Sequence, residues 1–440
     1  MKFFLAILLI VTIALLSVSA RFFRFRRSRI VVALVSGGWL HVLVGVLIGP
    51  EVIGAVEEGA LAKLTPLLVI GLGWIGMTIG LQARREVLRE LPRSLFACAA
   101  VDVASSVVVF GLLSWLILGM WMPDAPVAAR WPGAVLLTTA SIGWLLETRS
   151  LRASSTPAAA RLALCVRGSG ALCAMAAVLG FGLLAHASSR GPDGALSFHW
   201  GDAVVMASVT ALLAVMAGLI GRFALRLAGG DRSELLLVFL GLVALVAGSA
   251  TSLGYSPMLA SALAGAVMAN LAGPALRRFE RFILQAEYVV ASLFSILAGM
   301  LLDVHIGLAG VGLSAALAGA RLLVKAPVFA FSARRQWERG IPGPAPAPTL
   351  PESSPLFLAP IRQAPLAIAL GVALVLSEAS PMARKLLGVV VLTGVLTSAP
   401  MVIAAMRTGA RTGRTDDREP EPAQDASPGA ESAPEGGADR

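Results

Sequence analysis

Runs of about 17–25 predominantly apolar residues recur along the whole chain, and nothing else constrains its fold so tightly. At ~1.5 Å rise per residue, each run can cross the ~30 Å hydrocarbon core of a bilayer as a helix. About thirteen such spans can be counted, near 3–20, 30–49, 61–81, 95–119, 132–147, 157–184, 201–226, 232–251, 255–272, 284–302, 306–330, 356–378 and 384–406. The composition agrees: 57% of residues are hydrophobic and only 14% charged, against about 25% charged in soluble domains. The expected fold is an all-α polytopic membrane protein.

The net charge of +10 is distributed by topology. Loops after odd-numbered spans hold RFFRFRRSR (21–29), ARREVLRELPR (83–93), TRSLR (148–152), Arg222, Arg226, Arg232, Arg277, Arg278, Arg281, Arg334, Arg335 and Arg339. Loops after even-numbered spans hold only Lys63, Arg130, Arg190, Arg384 and Lys385. A one-sided split of this kind places the odd-span loops in the cytoplasm, the N-terminus outside and the C-terminus inside. A bacterial-type inner membrane is the expected location. No basic stripe with interleaved aromatics is present, so nucleic acid is not an expected partner.

The opening MKFFLAILLIVTIALLSVSA has the look of a cleaved leader. The five arginines that follow it argue instead for an anchoring helix with a basic loop, residues 1–29. Gly340–Pro355 forms a Pro-rich cytoplasmic linker, and the tail 407–440, rich in Pro, Gly, Ala, Asp and Glu, is expected to be disordered. Cys98, Cys165 and Cys173 lie inside apolar spans without ligand spacing, and read as small core residues. No metal site, cofactor or catalytic arrangement is expected, and the chain does not read as an enzyme.

Sliding the sequence on itself by about 220 residues brings Gly45 onto Gly265, Gly80 next to Gly299, and Thr138–Ser141 onto Leu358–Ile361. Spans 2–6 then correspond to spans 9–13, giving a first repeat over 30–184, connecting helices over 185–254 and a second repeat over 255–406. The shift of seven spans is odd, so the copies enter from opposite sides. Inverted repeats with interrupted helices in matching positions place a transport site near the bilayer midplane. Here the interrupted, crossing helices are spans 5 and 12, the latter broken by APIRQAP.

Polar and charged residues inside apolar spans are costly, at ~2.5–3.5 kcal/mol for a charge at the helix centre, and mark candidate pathways. The stretch Leu136–Ala171 carries Thr138, Thr139 and Ser141 in one span and Arg167, followed by Gly168, in the next. Asp102 lies in span 4; Arg321 and Lys325 lie one turn apart in span 11; Arg362 and Gln363 sit between Pro360 and Pro365. The three hydroxyl residues either ligate an ion or bond back to their own helix. Arg167 cannot titrate; it either holds the site by charge or snorkels toward the interface. Asp102 is a proton carrier, the counter-ion of Arg167, Arg321 or Lys325, or incidental. Lys325 either alternates its charge during transport or snorkels toward the cytoplasm. Asp303, Glu147, Glu287 and Glu378 lie near span ends, and His41 reads as a packed core histidine.

Several stretches resemble the monovalent cation:proton antiporter superfamily, in the branch of Kef-type potassium-efflux systems and bacterial sodium–proton exchangers. Trp39–Pro50 resembles its "LaGillGP" span, Gly71–Leu81 its "FliGLel", and Ser256–Asn270 its "SpllGAFlAGlvlgn". Phe294–Asp303 resembles "FFvsvGlsld", and Ala359–Ile368 resembles the interrupted "prGelalvl" helix. The resemblance covers most of residues 30–406. It implies a secondary transporter working by alternating access, with a monovalent cation and a proton as partners, and a homodimer in the bilayer.

The family's ion-binding Asp in the sixth span is replaced here by Arg167-Gly168, and the Thr-Asp of the fifth by Thr139-Ala140-Ser141. The basic residue of the eleventh span is kept as Lys325. Two alternatives to antiport therefore stand: a non-transporting or regulatory protein on the antiporter scaffold, and a channel or exporter of a small anion or neutral solute. Asp102 within ~4 Å of a basic residue, with no carboxylate facing the crossing, favours the non-transporting scaffold. An open, wet cavity reaching Asp102 favours transport.

Overall fold

A computed structural model describes residues 39–416, apart from segments at 55, 57–61, 91–92, 144–156, 186–187, 191–195, 199, 228–231, 272–274, 339–360, 362, 364 and 379. The expected first span, 3–20, lies outside the described residues, as do the linker 340–355 and the tail from 417. The described helices, in order, are α1 (Trp39–Ile48), α2 (Thr65–Leu81), the short α3 (Arg85–Glu90), α4 (Arg93–Trp121), α5 (Val127–Ile142) and α6 (Pro157–Leu184). They continue as α7 (Trp200–Leu227), α8 (Arg232–Ser252), α9 (Pro257–Leu271), α10 (Ala275–Leu301), α11 (Gly307–Glu338), α12 (Pro365–Glu378) and α13 (Pro381–Asp416). Between α6 and α7 a small antiparallel hairpin pairs β1 (Ser188–Arg190) with β2 (Leu196–Phe198).

Among the described residues, five helices are long and apolar enough to span a membrane, within α4, α7, α8, α11 and α13. Shorter apolar helices run among them. The long helices present apolar side chains outward: Val108, Leu112 and Leu116 on α4, and Val204, Leu212 and Phe223 on α7, are exposed. A soluble surface rarely shows apolar area on this scale, whereas a lipid-facing one requires it.

Among the described residues, two sets of helices can be distinguished, joined through α1 and α10. In one, α2 packs chiefly on α9, which also meets α7 and α8, while α10 packs along α1. In the other, α4, α5, α6, α11, α12 and α13 pack together. Glycine seams hold the closest pairs. A Cβ at Gly80 would run into the Ala262 carbonyl, and one at Gly265 would lie 3.2 Å from Gly80 Cα. Between α1 and α10, Gly45 and Gly299 are matched in the same way, each Cβ falling 3.0 Å from the other's Cα. Such seams let backbones approach where packing alone must drive association.

The fifth span is displaced from its expected limits. Its helix runs 127–142 rather than 132–147, beginning after an extended Pro126 and ending at Gly143, whose φ −66°, ψ 129° is extended. Pro132 inside the helix removes one backbone donor. The twelfth is displaced too: its described helix starts only at Pro365, and the ring of Pro365 disfavours helix in the residue before it. At 16 and 14 residues, α5 and α12 reach only ~21–24 Å, short of the ~30 Å hydrocarbon core.

Candidate functional site

A helix that stops at membrane depth leaves its last carbonyls without intrahelical donors and its C-terminus partially negative. The end of α5 is in that position, and side chains from α11 and from the stretch before α12 meet it. Arg321, fully buried, donates from Nη1 to the Ser141 carbonyl, from Nη2 to the Gly143 carbonyl at 3.1 Å and from Nε to the Ile361 carbonyl at 2.7 Å. One guanidinium thus ties the end of α5 to the chain entering α12. Lys325, one turn on, donates to the Ile142 carbonyl at 3.3 Å. Gln363 adds its Nε2 to the Ala140 carbonyl at 3.3 Å.

Lys325 also closes an ion pair with Asp102 of α4: Nζ lies 2.8 Å from Oδ1 and 2.9 Å from Oδ2. The ammonium is inaccessible, while the carboxylate retains 11% side-chain exposure. From α6, the buried Cys173 thiol donates to Asp102 Oδ2 at 3.3 Å. Among the described residues, two cations and one carboxylate stand against roughly half a negative charge from the α5 terminus. At low dielectric such a cluster holds only because nearly every charge faces an opposite charge or dipole.

The residues singled out from sequence fare unequally. Asp102, Arg321, Lys325 and Gln363 converge. The Thr138, Thr139 and Ser141 hydroxyls donate back to the Ala134, Val135 and Leu137 carbonyls at 2.7, 2.7 and 2.8 Å. It is the Ser141 carbonyl that serves the site. Gly168 lies within α6. The Arg167 side chain, and Arg362 altogether, lie outside the described residues. Of the three basic residues offered as counter-ions to Asp102, Lys325 pairs with it, Arg321 holds carbonyls, and the Arg167 side chain lies outside the described residues.

Cys173 and the carbonyls of Ile142, Gly143 and Ile361 were not anticipated. Carbonyls carry no residue-type signal, and Cys173 looked like any small residue in an apolar helix. His41 is buried, as expected for a packed histidine. Asp303 sits at the end of α10, its carboxylate accepting the backbone N–H of His305 at 2.8 Å.

The family model for the sodium/hydrogen exchanger transmembrane region matches residues 6–407. The chain belongs to that family. Membership makes it a multi-pass membrane protein and supports cation:proton antiport as its general activity. Two structures of the sodium proton antiporter MjNhaP1 from Methanocaldococcus jannaschii share the fold. One, at pH 8, superposes with a TM-score of 0.55 at 13% identity, covering 88% of this chain and 96% of that one. The other, an electron-microscopy map, gives 0.53 at 15% identity, covering 89% and 98%. Comparison with curated proteins gives no match.

Proposed function

We propose that this sodium/hydrogen exchanger family protein exchanges a monovalent cation for protons by alternating access, with Asp102 as the carboxylate for which they compete. The observation that carries this is the Asp102–Lys325 pair, held against the broken end of α5. A bare alkali cation has the charge of the Lys325 ammonium, so it can take the carboxylate only as the ammonium leaves. Protons act in the opposite sense by neutralising Asp102 or holding Lys325 charged. The acid that the family carries in its sixth span is, on this account, supplied by α4 from across the same crossing.

The architecture behind it is thirteen spans with an inverted repeat of 2–6 on 9–13. The glycine seams support the repeat: if α1 corresponds to α9 and α2 to α10, the Gly45–Gly299 contact becomes Gly265–Gly80. The contacts of α5 with α12 and of α4 with α11 pair the corresponding helices of the two repeats. The charge pattern of the loops supports an outside N-terminus and a cytoplasmic C-terminus in a bacterial-type inner membrane. A homodimer, seated in the bilayer through the α1, α2 and α7–α10 group, completes the proposal, and we read the protein as a transporter rather than an enzyme.

A second reading has an observation of its own. Asp102 lies 2.8 Å from Lys325, which meets the first half of the condition for a non-transporting scaffold. The second half, that no carboxylate faces the crossing, turns on Asp102, which reaches the end of α5 through the Lys325 ammonium. Proteoliposomes with an imposed pH gradient separate the two. Antiport predicts that sodium, potassium or lithium dissipates the gradient, and that Asp102→Asn abolishes the response. A folded, inserted protein inert to all three cations would leave the regulatory or solute-exporting scaffold.

A further inference from the structure

Gln363 is 2% exposed and held at two points. Its backbone N–H donates to Thr397 Oγ1 at 3.3 Å on α13, and its Nε2 to the Ala140 carbonyl on α5. A carbonyl can only accept, so the amide must turn its NH2 toward Ala140. That fixes the other end: Oε1 is buried, and no donor among the described residues reaches it. Buried acceptors are normally satisfied, and an exception calls for an explanation.

The surroundings narrow the class of the missing partner. The last turn of α5 meets both Gln363, at Ala140, and Lys325, at Ile142. Around it lie oxygen acceptors: the Asp102 carboxylate and the carbonyls of Ala140, Ile142 and Ile361. The Arg321 and Lys325 donors are directed at these oxygens. An anion would meet acceptors; a hard cation would find oxygen ligands of the kind it prefers.

We propose that Gln363 Oε1 is a neutral ligand for a partly dehydrated alkali cation at the crossing, and that it sets which cation the site prefers. The proposal rests on the cation-exchange reading of this site, and deepens it. When Lys325 leaves, it frees the Asp102 carboxylate on α4 and the Ile142 carbonyl, the latter on the α5 turn that Gln363 already touches. Asp102 supplies charge, which the alkali cations share. The amide oxygen supplies a fixed ligand on a chain clamped between α5 and α13, so it discriminates by size.

The test is thermal unfolding of the purified full-length chain in detergent. Sodium, potassium and lithium chloride are titrated against choline chloride at constant ionic strength. Wild type should be stabilised in a definite order of the three cations. Gln363→Leu should raise the half-saturating concentration of the preferred cation about tenfold, equivalent to ~1.4 kcal/mol, and flatten the order. Gln363→Glu keeps an oxygen but loses the donor to Ala140, and should restore binding.

If Gln363→Leu melts out before titration, Gln363→Asn takes its place, with the same flattening expected. Unchanged affinity and order in Gln363→Leu would overturn the proposal. So would a Gln363→Glu protein as impaired as Gln363→Leu, since the amide would then matter only as a brace for Ala140. A wild type stabilised by none of the three also overturns it. A wild type that binds but does not dissipate a pH gradient sinks antiport alone, and Gln363 is still judged by binding.

Discussion

Arg321 and Lys325 sit one turn apart on α11 and carry the same charge, yet they are suited to different work. The Arg321 fork spans three carbonyls from two separate chain segments, and a guanidinium keeps its proton under all ordinary conditions. It is a fixed clamp. Lys325 is a point charge on a flexible stem whose main partner is one carboxylate. Arg321→Lys should therefore fail to rescue the clamp. Its melting temperature in detergent should fall by an amount equivalent to ~3 kcal/mol or more, because buried carbonyls lose donors that a single ammonium cannot replace.

Lys325→Gln should also destabilise, by about 3–5 kcal/mol, by taking the ammonium away from the buried Asp102 carboxylate. Adding Asp102→Asn should recover most of that loss, and a double-mutant cycle in thermal unfolding would show additive effects if the pair were not coupled. The spacing of Arg321 and Lys325 was legible in the sequence, since i and i+4 share a helix face. Their partners were not. Asp102 lies 223 positions from Lys325 in the chain, and only folding brings α4 and α11 face to face.

At the scale of elements, the decisive feature is the end of α5, whose carbonyls are taken by side chains from α11 and from the stretch before α12. Hydropathy cannot detect the end of α5, because the sequence stays apolar through Gly143, Trp144, Leu145 and Leu146. The break is enforced from elsewhere, by Arg321 holding the Gly143 carbonyl from 178 positions away. Pro360 and Pro365 made the break before α12 legible from sequence, though not its exit point. The glycine seams were legible as a repeat signal, and their partners follow from the pairing of α1 with α10 and α2 with α9. Gly80→Ala should weaken the α2–α9 contact, because its Cβ would meet backbone that cannot give way. Overpacking of this kind costs about 1–3 kcal/mol. Gly241→Ala, which meets nothing within 4 Å on α8, is the matched control; equal melting temperatures for the two variants would contradict the seam.

For the whole molecule, the basic loops predict sidedness. Single cysteines placed in 83–93, on a background with Cys98, Cys165 and Cys173 replaced, should resist an impermeant thiol reagent in intact cells. Cysteines near Lys63 should react. The reverse pattern would invert the topology. The overall fold was largely legible because a bilayer admits few solutions for a chain this apolar: helices of fixed length, with charge sorted by side. The site was only half legible, since its geometry depends on backbone ends and on contacts between helices far apart in the chain. The central claim is that a cation and Lys325 contend for Asp102, and sodium binding measured by calorimetry across a range of pH tests it most directly. In wild type, binding should weaken as pH falls; in Lys325→Gln, it should be tighter and lose much of that dependence. Equal affinity and equal pH dependence in the two proteins would mean that Lys325 is a structural partner of Asp102 and not its competitor.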